Sequence, residues 1–136
     1  MANIHSWSAN FKAATLFNGA LANSTQNSSS VDTQGFRRAA VLAHIFTGAA
    51  TTANFIVQDS PDNSGWTSVT GGTLGTAIIA STADAAPYVI DIDLAKRQRY
   101  IRVQVVGTGA AGNAAVDAIL FEPLNAGVTN VNVIVL

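Results

Sequence analysis

The chain has 136 residues, of which 49% are hydrophobic and 11% charged, with a formal net charge of −1 and no cysteine. This length is sufficient for one domain with its own core, and the lack of cysteine excludes disulfides and thiol chemistry. A net charge near zero excludes the strong positive field that attracts nucleic acid or an anionic membrane. Soluble domains usually contain roughly 25% charged residues, so the low value predicts a surface covered by partner subunits. A compositional habit of the source organism is the competing explanation.

The amino-terminal sequence MANIHSWSANF lacks a basic region followed by an apolar core, so it does not match a signal peptide. No apolar run approaches the length of a membrane span. We therefore expect a chain that is made and assembled in a cytoplasm, without a membrane partner.

Residues 1–12 show no clear periodicity and carry isolated apolar side chains at Ile4, Trp7 and Phe11. We interpret them as an N-terminal arm that packs either on its own domain or on a neighbour. Residues 14–21 then contain Asn18-Gly19, a pair that favours the type I′ turn of a hairpin.

In the run Arg37 to Thr47, apolar residues occupy both alternating sets of positions, so both faces of a strand would be apolar. Such a strand lies in mid-sheet with its second face covered, by its own domain or by another subunit. A helix is the rival interpretation. His44 lies in this run without a second histidine, a cysteine or a carboxylate cluster beside it, so a structural role is favoured.

The clearest pattern is Asn54 to Val69, NFIVQDSPDNSGWTSV, in which two β-favouring runs flank the turn residues of a hairpin. Pro61 presets φ, Asp62 can hydrogen-bond to its own backbone, and Gly65 allows a positive φ before Trp66. The bulk of Trp66 favours a core-capping position, and stacking on a ligand is the alternative.

Further strands are predicted near 76–80 and at 88–94 and 99–106, where YVIDIDL and RYIRVQVV alternate cleanly. If the last two strands pair with each other, Asp91 faces Arg102. If they lie in opposite sheets, that pair does not form.

Residues 114–121 form another predicted strand, ended by Pro123, and the uncharged tail 128–136 must pair within a sheet to avoid aggregation. The chain is therefore predicted to be all-β, a single antiparallel β-sandwich at 13–125. The arm 1–12 precedes it, and the strand within 126–136 closes the sandwich or exchanges with a neighbour.

No motif indicates catalysis or a cofactor. Residues 107–112 match G-x-G-x-x-G, but β-favouring residues resume at Val116 and no acid follows at the required distance, so we expect a hairpin loop. No nucleophile has a recognisable partner, and no carboxylate pair suggests glycosidase chemistry. Four aspartates could supply oxygen ligands to calcium, namely Asp59, Asp62, Asp91 and Asp93. Their spacing does not match that of a calcium loop. We predict no enzyme activity, cofactor, metal or small-molecule substrate.

The order of an apolar strand, FIVQDSPDNSGWTSV, a glycine-rich loop, YVIDIDL and KRQRYIRVQVVGTG resembles small β-sandwich virion proteins of tailed bacteriophages, particularly head decoration (cement) proteins. The resemblance covers Arg37 to Gly109 and is one of pattern. It implies a jelly-roll-like fold, often trimeric, that binds the major capsid protein on the outer virion surface and clamps shell subunits together. It implies no catalytic residues.

Two sets of contact residues follow. For a cement protein, we expect the termini to contact other subunits through Trp7, Phe11, Ile134 and Leu136. The alternative is a glycan- or receptor-binding module of a phage tail fibre or spike, because discoidin-like carbohydrate-binding sandwiches have a similar pattern. Its candidate contacts are Trp66, Tyr88 and Tyr100.

Overall fold

The computed structural model describes residues 10–48, 51–73, 78–80, 88–108 and 112–124. These ranges contain nine strands and a short 3-10 turn at Leu94–Lys96. The strands are β1 (Phe11–Leu21), β2 (Thr25–Asp32), β3 (Phe36–Gly48), β4 (Thr51–Ser60), β5 (Thr67–Thr73), β6 (Ile78–Ala80), β7 (Tyr88–Asp93), β8 (Tyr100–Thr108) and β9 (Gly112–Pro123). Within the described ranges, no helix has the length and hydropathy that a membrane span requires.

The strands form two antiparallel sheets that pack as a sandwich. The four-stranded sheet has the order β1-β9-β3-β7, and the five-stranded sheet has the order β2-β8-β4-β5 with β6 also paired to β4. The pairs are nested along the chain, since β1 pairs with β9, β2 with β8, β3 with β7 and β4 with β5. Nested pairs that are shared between two sheets in this way form a jelly roll. The predicted all-β, jelly-roll-like sandwich is confirmed.

The core lies between the sheets and consists of the inward residues of alternating strands. Strand β3 lies between β9 and β7, as predicted for a strand with two apolar faces. Its inward residues are fully buried, and they belong to one core cluster with the inward residues of β4, β8 and β9. The most deeply buried side chains include Val41, Ile45, Phe55, Val57, Ile101, Val103, Val105, Val116 and Leu120.

The predicted hairpin at Asn54 to Val69 is confirmed, because β4 pairs with β5 across the loop 61–66. The residue with a left-handed backbone is Asn63 (φ 64°), however, and not Gly65. The Asp62 carboxylate accepts the N–H groups of Ser64 (3.0 Å) and Gly65 (3.2 Å) and the hydroxyl of Ser60 (3.1 Å). These hydrogen bonds, those from Ser64 foremost, hold the pKa of Asp62 well below its usual range.

The hairpin predicted at Asn18-Gly19 is wrong. Strand β1 runs without a break through both residues, which pair with Ala115 and Ala114 of β9. A β-bulge between Thr15 and Phe17 is the one irregularity along this pairing. Pairing with the whole length of β9 satisfies more backbone groups than a short local hairpin, so the tertiary partner overrides the turn propensity.

The pair predicted between Asp91 and Arg102 does not form. Strand β7 belongs to the four-stranded sheet and β8 to the five-stranded sheet, so the alternative of opposite sheets is the correct one. Asp91 instead accepts a hydrogen bond from Arg38 of the neighbouring strand β3.

The glycine-rich stretch 107–112 is not a hairpin loop as predicted, because β8 and β9 lie in different sheets and do not pair. Gly112 begins a strand and not a helix, so the segment is no dinucleotide site. Gly107 lies where β8 passes the β1–β2 connection, and its N–H donates to the carbonyl of Ser24 at 3.1 Å.

Candidate interaction surface

The outward side of the four-stranded sheet is apolar at its centre. On β9, Ile119 and Phe121 alternate with the buried residues Ala118 and Leu120, and therefore point away from the core. Leu42 on β3 points outward for the same reason. We call Ala40, Leu42, Ile119 and Phe121 the apolar face, and all four are half-buried.

The pairing of three strands brings these side chains together from distant parts of the sequence. Ile119 lies between Ala13 of β1 and Ala40 of β3, and Phe121 lies opposite Phe11. Two shallow hollows adjoin at Ile119. One has a volume of about 430 Å³ and is lined by Asn10, Phe11, Ala40, Ile119 and Phe121. The other has about 510 Å³ and reaches Thr15, Leu42 and Asp117.

One charge at the rim of the apolar face, that of Arg38, is compensated. The Arg38 guanidinium binds the Asp91 carboxylate and lies 5.9 Å from the centroid of the Phe121 ring. The hydrogen bond to Asp91 raises the pKa of Arg38. Apolar side chains with aromatic and arginine neighbours and few charges are typical of the centre of a protein–protein interface.

The five-stranded sheet presents a different outward side. Trp66 and Tyr100 both lie on it, and an arginine stacks on each ring: Arg102 lies 4.4 Å from the Trp66 centroid and Arg99 lies 5.1 Å from that of Tyr100. Trp66 therefore does not cap the core as expected. It precedes Ser68 by two residues, and Ser68 faces outward beside Gln58, so the alternation of β5 directs the indole outward too.

The residues predicted as contacts are only partly brought together. Trp66 and Tyr100 share one outward side, whereas Tyr88 lies on β7 of the other sheet and is 43% exposed. Phe11 lies at the start of β1, at the edge of the apolar face. Trp7, Ile134 and Leu136 lie outside the described residues.

The apolar face itself was missed at the sequence level, apart from the observation that β3 has two apolar sides. In β9, the outward residues are Ala115, Asp117, Ile119 and Phe121, and this alternation is the signal that was available. No signal in the sequence indicated which strands would lie beside β3 and β9.

The four aspartates considered for calcium serve separate structural roles. Asp62 organises the β4–β5 loop, and Asp91 pairs with Arg38. Asp93 accepts the N–H of Ala95 at the start of the 3-10 turn, and the buried Asp59 accepts the N–H of Gln98 at 3.2 Å. Among the described residues, no three metal-ligating side chains come together.

Comparison with known proteins shows the fold. No protein-family model matches the chain, and no curated protein matches its sequence. The chain is similar to the SPBc2 prophage-derived protein YomS (TM-score 0.54, 19% identity, 82% of this chain and 92% of YomS). It is also similar to the PBSX exported protein XepA (TM-score 0.55, 19% identity, 89% of this chain and 39% of XepA). A third similar structure is infectious bursal disease virus, Gx strain (TM-score 0.53, 9% identity, 82% of this chain and 32% of that one).

Proposed function

We propose that the chain is a non-enzymatic structural protein of a phage virion, and more specifically a decoration (cement) protein. It binds the major capsid protein on the outside of a head and stabilises contacts between shell subunits. The observation that carries the proposal is the apolar face at the centre of the four-stranded sheet, in a chain with only 11% charged residues. A jelly roll similar to those of two prophage proteins and a virus structure supports the same class of role.

The size of the apolar face suits a contact that is repeated many times. The apolar face lies on two strands, β3 and β9, and the whole outward side of the sheet, with four strands about 4.8 Å apart and six residues at about 3.3 Å, measures roughly 20 Å by 20 Å. That is about half of the roughly 800 Å² that each partner buries in a stable complex. A single contact is therefore weak, and several linked copies gain avidity. The proposal also includes oligomerisation, with a trimer favoured. Additional contacts are made by Phe11 and, in the terminal segments, by Trp7, Ile134 and Leu136.

Location in the particle is the first test. Particles of the phage or prophage that encodes the chain are purified, separated into heads and tails, and analysed by quantitative mass spectrometry. We expect the chain in the head fraction in many copies, and recombinant protein should co-sediment with heads that lack it. Its absence from heads, or its presence in tails alone, contradicts the proposal.

The second test changes the apolar face directly. In the double variant Leu42→Ser and Ile119→Ser, each change removes an apolar side chain whose exposed part is available to a partner. Burial of that part stabilises a contact by about 0.5–1 kcal/mol per residue, so the two changes weaken each contact about five- to thirtyfold.

A matched control separates binding from folding. Ile56 on β4 is also half-buried and outward-facing, but it lies on the five-stranded sheet. Ile56→Ser should leave co-sedimentation with heads unchanged while it lowers the melting temperature by a similar amount per substituted residue. Equal loss of head binding in both variants would show that the apolar face is not the attachment surface.

A further inference from the structure

Arg102 on β8 is held in a fixed position on the outward side of the five-stranded sheet. Its Nε donates to Oε1 of Gln58 at 2.9 Å, and its guanidinium stacks on the Trp66 ring at 4.4 Å. Gln58 is only 7% exposed, and its Nε2 lies 3.4 Å from the hydroxyl of Ser68. Because both the stem and the plane of the guanidinium are fixed, little side-chain entropy remains to be lost when a ligand binds.

The charge of Arg102 is not compensated by the described part of the chain. Arg38, Arg97 and Arg99 each have an aspartate partner, whereas no carboxylate of the described residues lies beside Arg102. Burial lowers the pKa of Arg102, and no acidic group raises it. The described hydrogen bonds of Arg102 use Nε, so the N–H groups of both Nη atoms remain available as a planar fork.

The groups around this fork are neutral hydrogen-bonding side chains. Ser30 lies opposite Arg102 on β2, and its hydroxyl donates to Oδ1 of Asn63 at 2.6 Å. Further along the same side, Gln104 donates to Asn27 at 3.3 Å. Amides and hydroxyls of this kind suit the hydroxyl groups of a sugar, and the aromatic ring of Trp66 beside them suits the apolar face of a sugar ring.

We propose that Arg102 and Trp66 form the centre of a binding site for a carboxylated saccharide, such as one that contains a uronic or sialic acid. The carboxylate accepts two parallel hydrogen bonds from the Arg102 fork, which is the geometry that arginine offers to planar anions. Ser30, which lies opposite Arg102, and Asn63, which is hydrogen-bonded to Ser30, are the polar groups that the neighbouring sugar hydroxyls would meet. The site lies on the opposite side of the sandwich from the apolar face, and it does not depend on the proposed attachment to a head.

The test is a titration of the whole ¹⁵N-labelled chain, followed by NMR, with 3′-sialyllactose and trigalacturonate against their neutral counterparts lactose and α-1,4-galactotriose. We expect saturable shifts of the Arg102 Nε–H, the Trp66 indole N–H and the Gln58 side-chain amide with an acidic sugar. The neutral sugars should give none. Absence of saturable shifts with both acidic sugars overturns the proposal, and this result needs no variant.

Two further experiments test whether the two parallel hydrogen bonds of Arg102 are needed and whether the carboxylate must belong to a sugar. Arg102→Lys keeps the charge but removes the bidentate geometry, so binding should weaken about tenfold or more. The matched control is Arg37→Lys, an exposed arginine on β3, which should bind like the wild type. If Arg102→Lys binds equally well, or if a tetra-aspartate peptide binds as tightly as the acidic sugars, the assignment to a saccharide is wrong.

Discussion

Gly107 on β8 occupies a position where the backbone of another segment leaves no room for a side chain. A Cβ atom added there would lie 2.4 Å from the carbonyl oxygen of Ala22 and 3.7 Å from Cβ of Leu21. The nearer atom belongs to the backbone of the β1–β2 connection, so it cannot move aside as the end of a flexible side chain would. We therefore expect Gly107→Ala to displace either β8 or this connection.

The size of the effect follows from two contributions. Overpacking of this kind costs about 1–3 kcal/mol, since a carbon and an oxygen must separate by about 1 Å to reach ordinary contact. The same displacement weakens the hydrogen bond from the Gly107 N–H to the Ser24 carbonyl, which is 3.1 Å long and contributes about 1 kcal/mol. Together, the free energy of unfolding should fall by about 2–4 kcal/mol, and the melting temperature by roughly 10 °C.

The assay is urea unfolding, followed by tryptophan fluorescence, with two other glycines as controls. Gly65 has no atom within 4 Å of an added Cβ and no left-handed backbone, so Gly65→Ala should change stability by less than about 1 kcal/mol. Gly35 also has open space but a φ of +91°, so Gly35→Ala reports backbone strain alone. If Gly107→Ala is as stable as Gly65→Ala, the steric reasoning is refuted.

Three further predictions concern the core, the loop and the pairing of charges. Leu120→Ala removes a fully buried side chain from β9 and should lower the free energy of unfolding in urea by about 2–5 kcal/mol. Asp62→Asn should lower stability at pH 7. Because the pKa of Asp62 is lowered by folding, its contribution is present above about pH 4 and disappears as the pH falls below that value, so unfolding curves of wild type and variant should converge in acid. Asp91→Asn and Arg102→Gln should be additive within about 0.5 kcal/mol in a double-mutant cycle, whereas Asp91→Asn and Arg38→Gln should not be additive.

The local parts of this fold could be predicted from the sequence because their signals are local. The alternation in YVIDIDL and RYIRVQVV identifies β7 and β8 and correctly assigns Ile92 and Ile101 to the core. The turn residues around Asp62 identify the β4–β5 hairpin, whose two strands are joined by a short loop. In each case, the residues that decide the structure lie within a few positions of one another.

The choice of pairing partners could not be predicted because a jelly roll pairs strands that are far apart in sequence. Asn18-Gly19 favours a turn, yet β9 lies about a hundred residues away along the chain and extends β1 through both positions. Asp91 and Arg102 have matching charge and spacing, yet their strands belong to opposite sheets. A charge pair at the surface is too weak to select a partner strand.

The candidate surfaces share this dependence on distant pairing. Leu42 and Ile119 become neighbours only because β9 inserts between β1 and β3. Arg102 reaches Trp66 only because β8 and β5 flank β4 in the same sheet. The sequence indicated that β3 has an apolar second side, but it did not contain the strand order that assembles a surface from it.

The two outward sides of the sandwich bear on the cause of the low charge. A compositional bias of the source organism would lower the number of charged residues equally on both sheets. The centre of the four-stranded sheet presents Leu42, Ile119 and Phe121 as one group, whereas on the five-stranded sheet the outward Ile56 lies among polar neighbours such as Gln58 and Gln104. Selection for solubility alone gives no reason to group large apolar side chains in this way. Coverage of that side by another subunit, as proposed above, does give such a reason, and it predicts that protection of Leu42 and Ile119 on assembly exceeds that of Ile56.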